Sequence, residues 1–259
     1  FVSMKSGLTV TFLGTGTSQG IPVIGSNHPV CLSDNPKDKR LRVSVLLEWE
    51  DATYVIDCGP DFRQQMLTAD IRHLDAVVFT HQHRDHIAGL DDVRSFNFLQ
   101  KKPMPVYGNA YVMDQIKREF HYVFENKYPG VPQLTLHEIK NEPFEILGLH
   151  WNPVEVLHHQ LPVFGFRIDG LTYITDANFI PEAEMKKLEG SHTIIINALQ
   201  REDHISHFTL AEALDIINRL KPQKAYLTHI SHKLGFYDQV SGELPENTFL
   251  AFDGLQIEI

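Results

Sequence analysis

Apolar and polar residues alternate over residues 8–13, Leu-Thr-Val-Thr-Phe-Leu, which predicts a strand. The strand runs into Gly14-Thr15-Gly16-Thr17, where the glycines permit a tight turn. No helical pattern follows, so this is neither a P-loop nor a dinucleotide fingerprint. Residues 25–42 are polar and carry Pro29 and Pro36, which reads as a long excursion. Residues 43–48 and 52–56 predict a strand pair turning near Glu50-Asp51 and ending at Asp57, and residues 62–68 a short helix. The β-branched run 75–79 reads as a buried strand. A helix is expected over 91–100, stopped by Pro103, and another over 110–124, where Val112, Ile116, Phe120 and Val123 recur at helical spacing. Strands are expected over 147–156, 163–168, 171–175, 192–197 and 224–228. Pro181 suits the first position of a helix to Leu188. Thr209 and Glu212 form a capping box opening a helix to Leu220.

Candidate chemistry sits where the strand over 75–79 ends. There the chain reads THQHRDHIAGL and packs His81, His83, Asp85 and His86 into six residues. Two imidazoles at every second position can aim two nitrogens at one point. The Asp-His pair that follows can aim at a second point. Imidazole and carboxylate together suit zinc, iron or manganese. Further donors fall near the ends of later strands: His158 or its neighbour His159, Asp176 after YIT, and His229 after AYLT.

H-x-H-x-D-H after a strand resembles the signature of the metallo-β-lactamase-fold hydrolases. The segments GTGTSQGIP (14–22), DCGPDFRQQ (57–65), GLDDVRSFN (89–97), YITD (173–176) and LTHISH (227–232) resemble one branch. That branch holds the phosphoribosyl 1,2-cyclic phosphate phosphodiesterases and relatives labelled pyrroloquinoline quinone biosynthesis B-like. The resemblance spans nearly the whole chain. It implies an αββα metallo-β-lactamase-like sandwich, a four-layer α/β (α+β) fold, as a single domain over residues 1–259. Periodicity alone gives only "α/β".

The resemblance also implies a ligand set for two divalent metal ions, Zn or Mn, with Fe admissible. One metal would take His81, His83, His158 and Asp176. The other would take Asp85, His86, Asp176 and His229. A ligand histidine four residues before the Pro-Val pair selects His158 over His159. His207, just before the last long helix, matches the family's general acid, and Asp85 is counted with it as catalytic. Asp57 reads as a residue that orients a ligand histidine. Arg84 and Arg94 could meet a phosphate, but surface ion pairing is the safer expectation.

One departure concerns a structural zinc. Relatives carry Cys-x-Cys-x-x-Cys after GIPVIG, with a histidine three residues beyond the last active-site ligand. Here Ser26, His28, Cys31 and His232 stand at those places. His28, Cys31 and His232 would still offer three ligands to a separate structural zinc, with water or Ser26 as the fourth. The alternative is a loop held by packing.

Composition narrows the functions. A net charge of −10 argues against a nucleic-acid footprint but leaves room for a local phosphate pocket. Two cysteines, Cys31 and Cys58, are too few for a disulfide framework and are expected as reduced thiols. No apolar run has the length of a membrane helix and no signal-peptide pattern is seen, so a cytoplasmic enzyme is expected. The expected partner is a small, cyclic phosphodiester, with no membrane; a homodimer is admitted. The other readings are a tRNA 3′-processing-type endonuclease and a metal-binding protein of this fold without hydrolase activity.

Overall fold

The computed structural model describes residues 7–125 and 128–259, which form two compact units. The first comprises the N-terminal strand, Ser44–Lys140 and Gln256–Glu258; the second comprises Gly14–Val43 and Asn141–Leu255.

The strands run in chain order as β1 (Leu8–Gly14), β2 (Ser44–Trp49), β3 (Ala52–Ile56), β4 (Ala76–Val78), β5 (Met104–Gly108), β6 (Leu134–Glu138), β7 (Phe144–Ile146), β8 (Leu149–His158), β9 (Leu161–Ile168), β10 (Leu171–Ile174), β11 (Thr193–Asn197), β12 (Lys224–Thr228), β13 (Thr248–Leu250) and β14 (Gln256–Glu258). The α-helices are α1 (Phe62–Thr68), α2 (Arg84–Ile87), α3 (Arg94–Gln100), α4 (Ala110–Glu119), α5 (His121–Glu125), α6 (Glu182–Leu188), α7 (Leu210–Leu220) and α8 (Tyr237–Glu243).

The sheet of the first unit has the order β14-β1-β2-β3-β4-β5-β6. β2 and β3 form an antiparallel hairpin, whereas β3, β4, β5 and β6 run parallel. Crossovers between parallel strands lay helices on a sheet's faces, so such strands tend to be buried on both faces. That is why Ala76-Val77-Val78 reads as an unbroken apolar run and is wholly buried. Val55, Val77 and Val106 pack with Phe62, Met66, Phe96, Val112 and Ile116 of the helices.

The sheet of the second unit has the order β13-β12-β11-β10-β9-β8-β7. β10, β11, β12 and β13 are parallel, while β7, β8, β9 and β10 form antiparallel pairs. The interior strand β11, Thr-Ile-Ile-Ile-Asn, is buried at every position. Ile194, Ile196 and Leu227 meet Met185, Leu188, Ala213 and Ile217 of α6 and α7. The capping box of α7 is complete: Thr209 Oγ1 accepts from Glu212 N–H, and Glu212 Oε2 accepts from Thr209 N–H.

Three expected elements differ from the structure. The strand expected over 147–156 starts two residues later, because Leu147 and Gly148 both have positive φ (50° and 86°). They form the two-residue turn of a β7–β8 hairpin, a geometry that matches strand twist. The helix expected over 110–124 divides at Phe120, whose φ and ψ of −110° and 35° leave the helical region while its ring stays in the core. The helix expected over 91–100 opens as a 3₁₀ turn, Leu90–Val93, before α3. The excursion over 25–42 holds two 3₁₀ turns, Pro29–Leu32 and Pro36–Asp38.

Candidate functional site

In the first unit the H-x-H-x-D-H segment follows β4, and its last residues wind into α2. Asp57, at the end of β3, holds this loop from below. It is fully buried and left-handed (φ 65°). Its carboxylate accepts from Thr80 N–H (2.9 Å), Thr80 Oγ1–H (2.8 Å) and His86 Nδ1 (2.7 Å). Burial pushes its pKa up, and the contacts with His86 and Thr80 pull it back. Thr80 spends its hydrogen on Asp57, so its oxygen faces His81 Nδ1 at 3.0 Å as an acceptor. His81 and His86 therefore both carry their proton on Nδ1, which leaves the Nε2 lone pair to a ligand role. Asp57 is the orienting carboxylate expected from the sequence; Thr80 was not foreseen, although its place beside His81 was the available signal.

Backbone packing sets the loop's height. A Cβ on Gly59 would lie 2.0 Å from Asp85 O, and one on Gly89 would lie 2.0 Å from Gly59 O. Only glycine allows the two segments to meet, joined by Cys58 N–H to His86 O (2.7 Å) and Gly89 N–H to Cys58 O (2.9 Å). His81 Nε2 lies 3.1 Å from His83 Nδ1, and His86 Nε2 lies 3.2 Å from Asp85 Oδ2. Asp57→Asn keeps the shape but replaces one acceptor oxygen by a donor facing Thr80 or His86. It is expected to weaken zinc affinity about 10–100-fold, read by competition with a chelator.

In the second unit the donors stand at strand ends. His158 is the last residue of β8, Asp176 follows β10 by two residues, and His229 follows β12 directly. Asp176 and His229 are both left-handed, with φ of 57° and 56°. Such strained backbone, of order 1–3 kcal/mol each, persists where surrounding structure holds it and is common at functional sites. Asp176 Oδ1 lies 3.1 Å from His229 Nε2, 4.0 Å from His158 Nε2 and 3.9 Å from His207 Nε2. His158 Nδ1 donates to Ser206 O at 2.9 Å, which again leaves Nε2 as the lone-pair nitrogen. Adjacent His159 is left-handed, and its N–H donates to Asn178 Oδ1; it does not join the group.

His207 is fixed by its neighbour Phe208, whose N–H donates to Ala177 O and whose carbonyl accepts from Leu199 N–H. Its ring stacks on His229 with centroids 4.6 Å apart, and its buried Nδ1 has no hydrogen-bond partner among the described residues. Burial, then His229, pushes its basicity down to about 2, with Asp176 opposing.

Each unit thus supplies imidazole nitrogens and carboxylate oxygens at 3–4 Å spacing. Ligands about 2.0–2.1 Å from a tetrahedral zinc stand roughly 3.3 Å apart, so the donor sets fit divalent-metal binding.

The variant structural-zinc positions are brought only partly together. The His28 and His232 rings meet edge to face at 4.8 Å. His28 Nδ1 accepts from Val30 N–H, and Cys31 Sγ accepts from Val23 N–H. Among the described residues, the donor groups with mutual spacings within 4.8 Å do not include this trio. Both cysteines are buried free thiols, and burial pushes the Cys58 thiol well up. Arg84 pairs with Glu119 (3.5 Å) and Arg94 with Asp91 (3.6 Å).

The β-lactamase superfamily domain model matches residues 52–230, which run from β3 to just beyond His229. This chain belongs to the β-lactamase superfamily. A solved diphosphatase of the PhnP family is 38% identical, covers 98% of this chain and 97% of its own, and superposes with a TM-score of 0.92. Zinc-bound PqqB from Methylobacterium extorquens, at 18% identity, shares the fold over 97% of this chain and 100% of its own, with a TM-score of 0.79. An octanoyltransferase from Porphyromonas gingivalis is 38% identical over 248 residues, 94% of this chain and 50% of that protein. The chain spans about half the length of the curated relatives it matches first. The fold is the α/β metallo-β-lactamase type. No helix among the described residues is long and apolar enough to cross a membrane.

Proposed function

We propose that the chain is a phosphodiesterase acting on a small, cyclic phosphodiester such as phosphoribosyl 1,2-cyclic phosphate. In this reading residues 1–259 work as one metallo-β-lactamase-like domain with two divalent ions, Zn or Mn. The ligands are His81, His83, Asp85 and His86 from the first unit and His158, Asp176 and His229 from the second. What carries the reading is a donor-rich strand-end cluster that includes a non-ligand imidazole, His207, in a chain 38% identical to a PhnP-family diphosphatase. Bound metal ions supply Lewis acidity and a water acidic enough to be hydroxide near neutral pH.

The protein's own residues do the rest. Asp57, Thr80 and Ser206 keep the ligand imidazoles in the Nδ1–H form. The buried cluster around His207 excludes bulk water from the leaving group. His207 delivers the proton that the departing alkoxide needs. Its ring does not hold that proton in the present arrangement, and a bound phosphoryl anion is the group that would favour it.

The test is hydrolysis of bis(p-nitrophenyl) phosphate and ribose 1,2-cyclic phosphates with Mn²⁺, with Zn²⁺ and after chelation. Turnover should require metal. His207→Ala should lower kcat at least about a hundredfold with bound metal unchanged. A metal-loaded wild type that hydrolyses neither substrate overturns the reading.

A further inference from the structure

Ser206 organises two histidines in opposite senses. Its carbonyl accepts from His158 Nδ1 at 2.9 Å, which makes Nε2 of His158 a lone-pair nitrogen. Its N–H and its Oγ both stand 3.3 Å from Nδ1 of His204. A backbone N–H can only donate, so Nδ1 of His204 is the acceptor. The proton of that neutral ring therefore sits on Nε2. His158 is prepared as a ligand; His204 is prepared as an N–H donor.

His204 also stands in the right company. Its ring lies 5.1 Å from that of His207, tilted by 44°, and His207 is in turn 3.9 Å from Asp176. His204 is exposed whereas His207 is buried, so the pair runs from the rim of the second unit inward. Among the described residues, Nε2 of His204 has no hydrogen-bond partner. A packing role would leave an imidazole buried, and a ligand role would need the opposite tautomer. Burial first, then the neighbouring His158, His229 and Lys233, push the His204 pKa down, so the ring stays neutral with its proton on Nε2.

We propose that His204 is a substrate-binding residue whose Nε2–H donates to a non-bridging phosphoryl oxygen of the phosphate ester, beside the leaving group served by His207. The proposal rests on the phosphodiesterase reading for its substrate class. No bond is made or broken by His204; its contribution is one hydrogen bond to an anionic oxygen, and the ring keeps its proton.

The experiment titrates inorganic phosphate into the metal-loaded protein calorimetrically, with metal content measured, for wild type, His204→Ala, His204→Gln and His204→Asn. Steady-state kinetics with bis(p-nitrophenyl) phosphate run in parallel. The amide NH₂ of glutamine reaches nearly as far as Nε2; that of asparagine does not. His204→Ala and His204→Asn should each weaken phosphate binding about tenfold or more and raise KM with kcat changed less, at unchanged metal content. His204→Gln should recover most of the loss. Phosphate affinity within twofold of wild type in His204→Ala overturns the proposal, as does loss of metal or failure of the Gln variant to recover. Wild type that binds phosphate but turns over no diester sinks the phosphodiesterase reading alone, and the affinity ratios still decide His204. Wild type that binds no phosphate overturns the His204 proposal, and diester turnover then decides the phosphodiesterase reading by itself.

Discussion

Asp176→Asn should lower phosphodiester turnover at least about a thousandfold while the metal-free protein melts within about 3 °C of wild type. The side chain is 3% exposed, and one oxygen stands 3.1–4.0 Å from Nε2 of His229, His158 and His207. The other oxygen accepts from Thr175 Oγ1 at 2.9 Å. Among the described residues, Asp176 is the one carboxylate in the second unit's donor group with His158 and His207. Asparagine keeps the volume and tolerates the left-handed backbone at φ 57°, so the fold is spared. It cannot supply the negative charge that holds a divalent ion against three imidazoles. Metal Lewis acidity is worth several kcal/mol of barrier, and each 1.36 kcal/mol is tenfold in rate, which sets the scale of the loss. Metal analysis and kcat measured together decide the point. Full metal content with activity within tenfold of wild type would remove Asp176 from the ligand set.

The sequence carried the strands that are buried on both faces and the polar clusters that follow them. Val77, Val78 and Ile194–Ile196 are apolar because both faces of these interior parallel strands are buried, so both the strand and its end are visible in a single run of letters. His81, Asp176 and His229 could be read because each stands within three residues of such an end. The edge strands were not legible. β6 alternates weakly and is half exposed, and β14 has three residues, so neither has a pattern of its own. The hairpin turn at Leu147 was hidden because a leucine, rather than Asn or Gly, takes the first positive φ. The supporting contacts were the least visible. Thr80 and Ser206 act through a hydroxyl and a carbonyl, and a carbonyl belongs to every residue. Nothing in the letter S at 206 distinguishes the one that turns His158 and His204 in opposite directions. The tautomers of His86 and His158 are fixed by hydrogen bonds from distant segments, which one sequence does not show.

Asp253→Ala is the substitution expected to cost the second unit most stability, about 3 kcal/mol at pH 7 and about 5 at pH 4.5. Asp253 ties the excursion over 14–43 to the chain after β13. Its Oδ1 accepts from Thr15 Oγ1 at 2.7 Å and its Oδ2 from Leu41 N–H at 2.6 Å. Arg40 is buried in the same network and donates to Thr15 Oγ1 and to Ala251 O. Burial pushes the Asp253 carboxyl up to about 6, against the pull of Leu41, Thr15 and Arg40, and it pushes the Arg40 guanidinium down to about 10. Both charged forms are thus disfavoured by their surroundings, so the pair does not stabilise by its charges. Removing Asp253 is still costly, because it orphans the Leu41 N–H and the Thr15 hydroxyl.

The pH dependence follows from the raised value. The folded state keeps the Asp253 proton between the unfolded pKa near 4 and the folded pKa near 6. The contribution from this proton is complete below the unfolded pKa and is lost as pH rises through about 6. Between pH 4.5 and 7 that loss is about 2 kcal/mol, so the gap between wild type and Asp253→Ala should narrow by this amount as the pH rises. Arg40 titrates well above this window and does not enter. Urea unfolding at both pH values measures the gap directly. A penalty that grows with pH would mean that Asp253 is held as a carboxylate in the fold, with the attraction of Arg40 outweighing the burial.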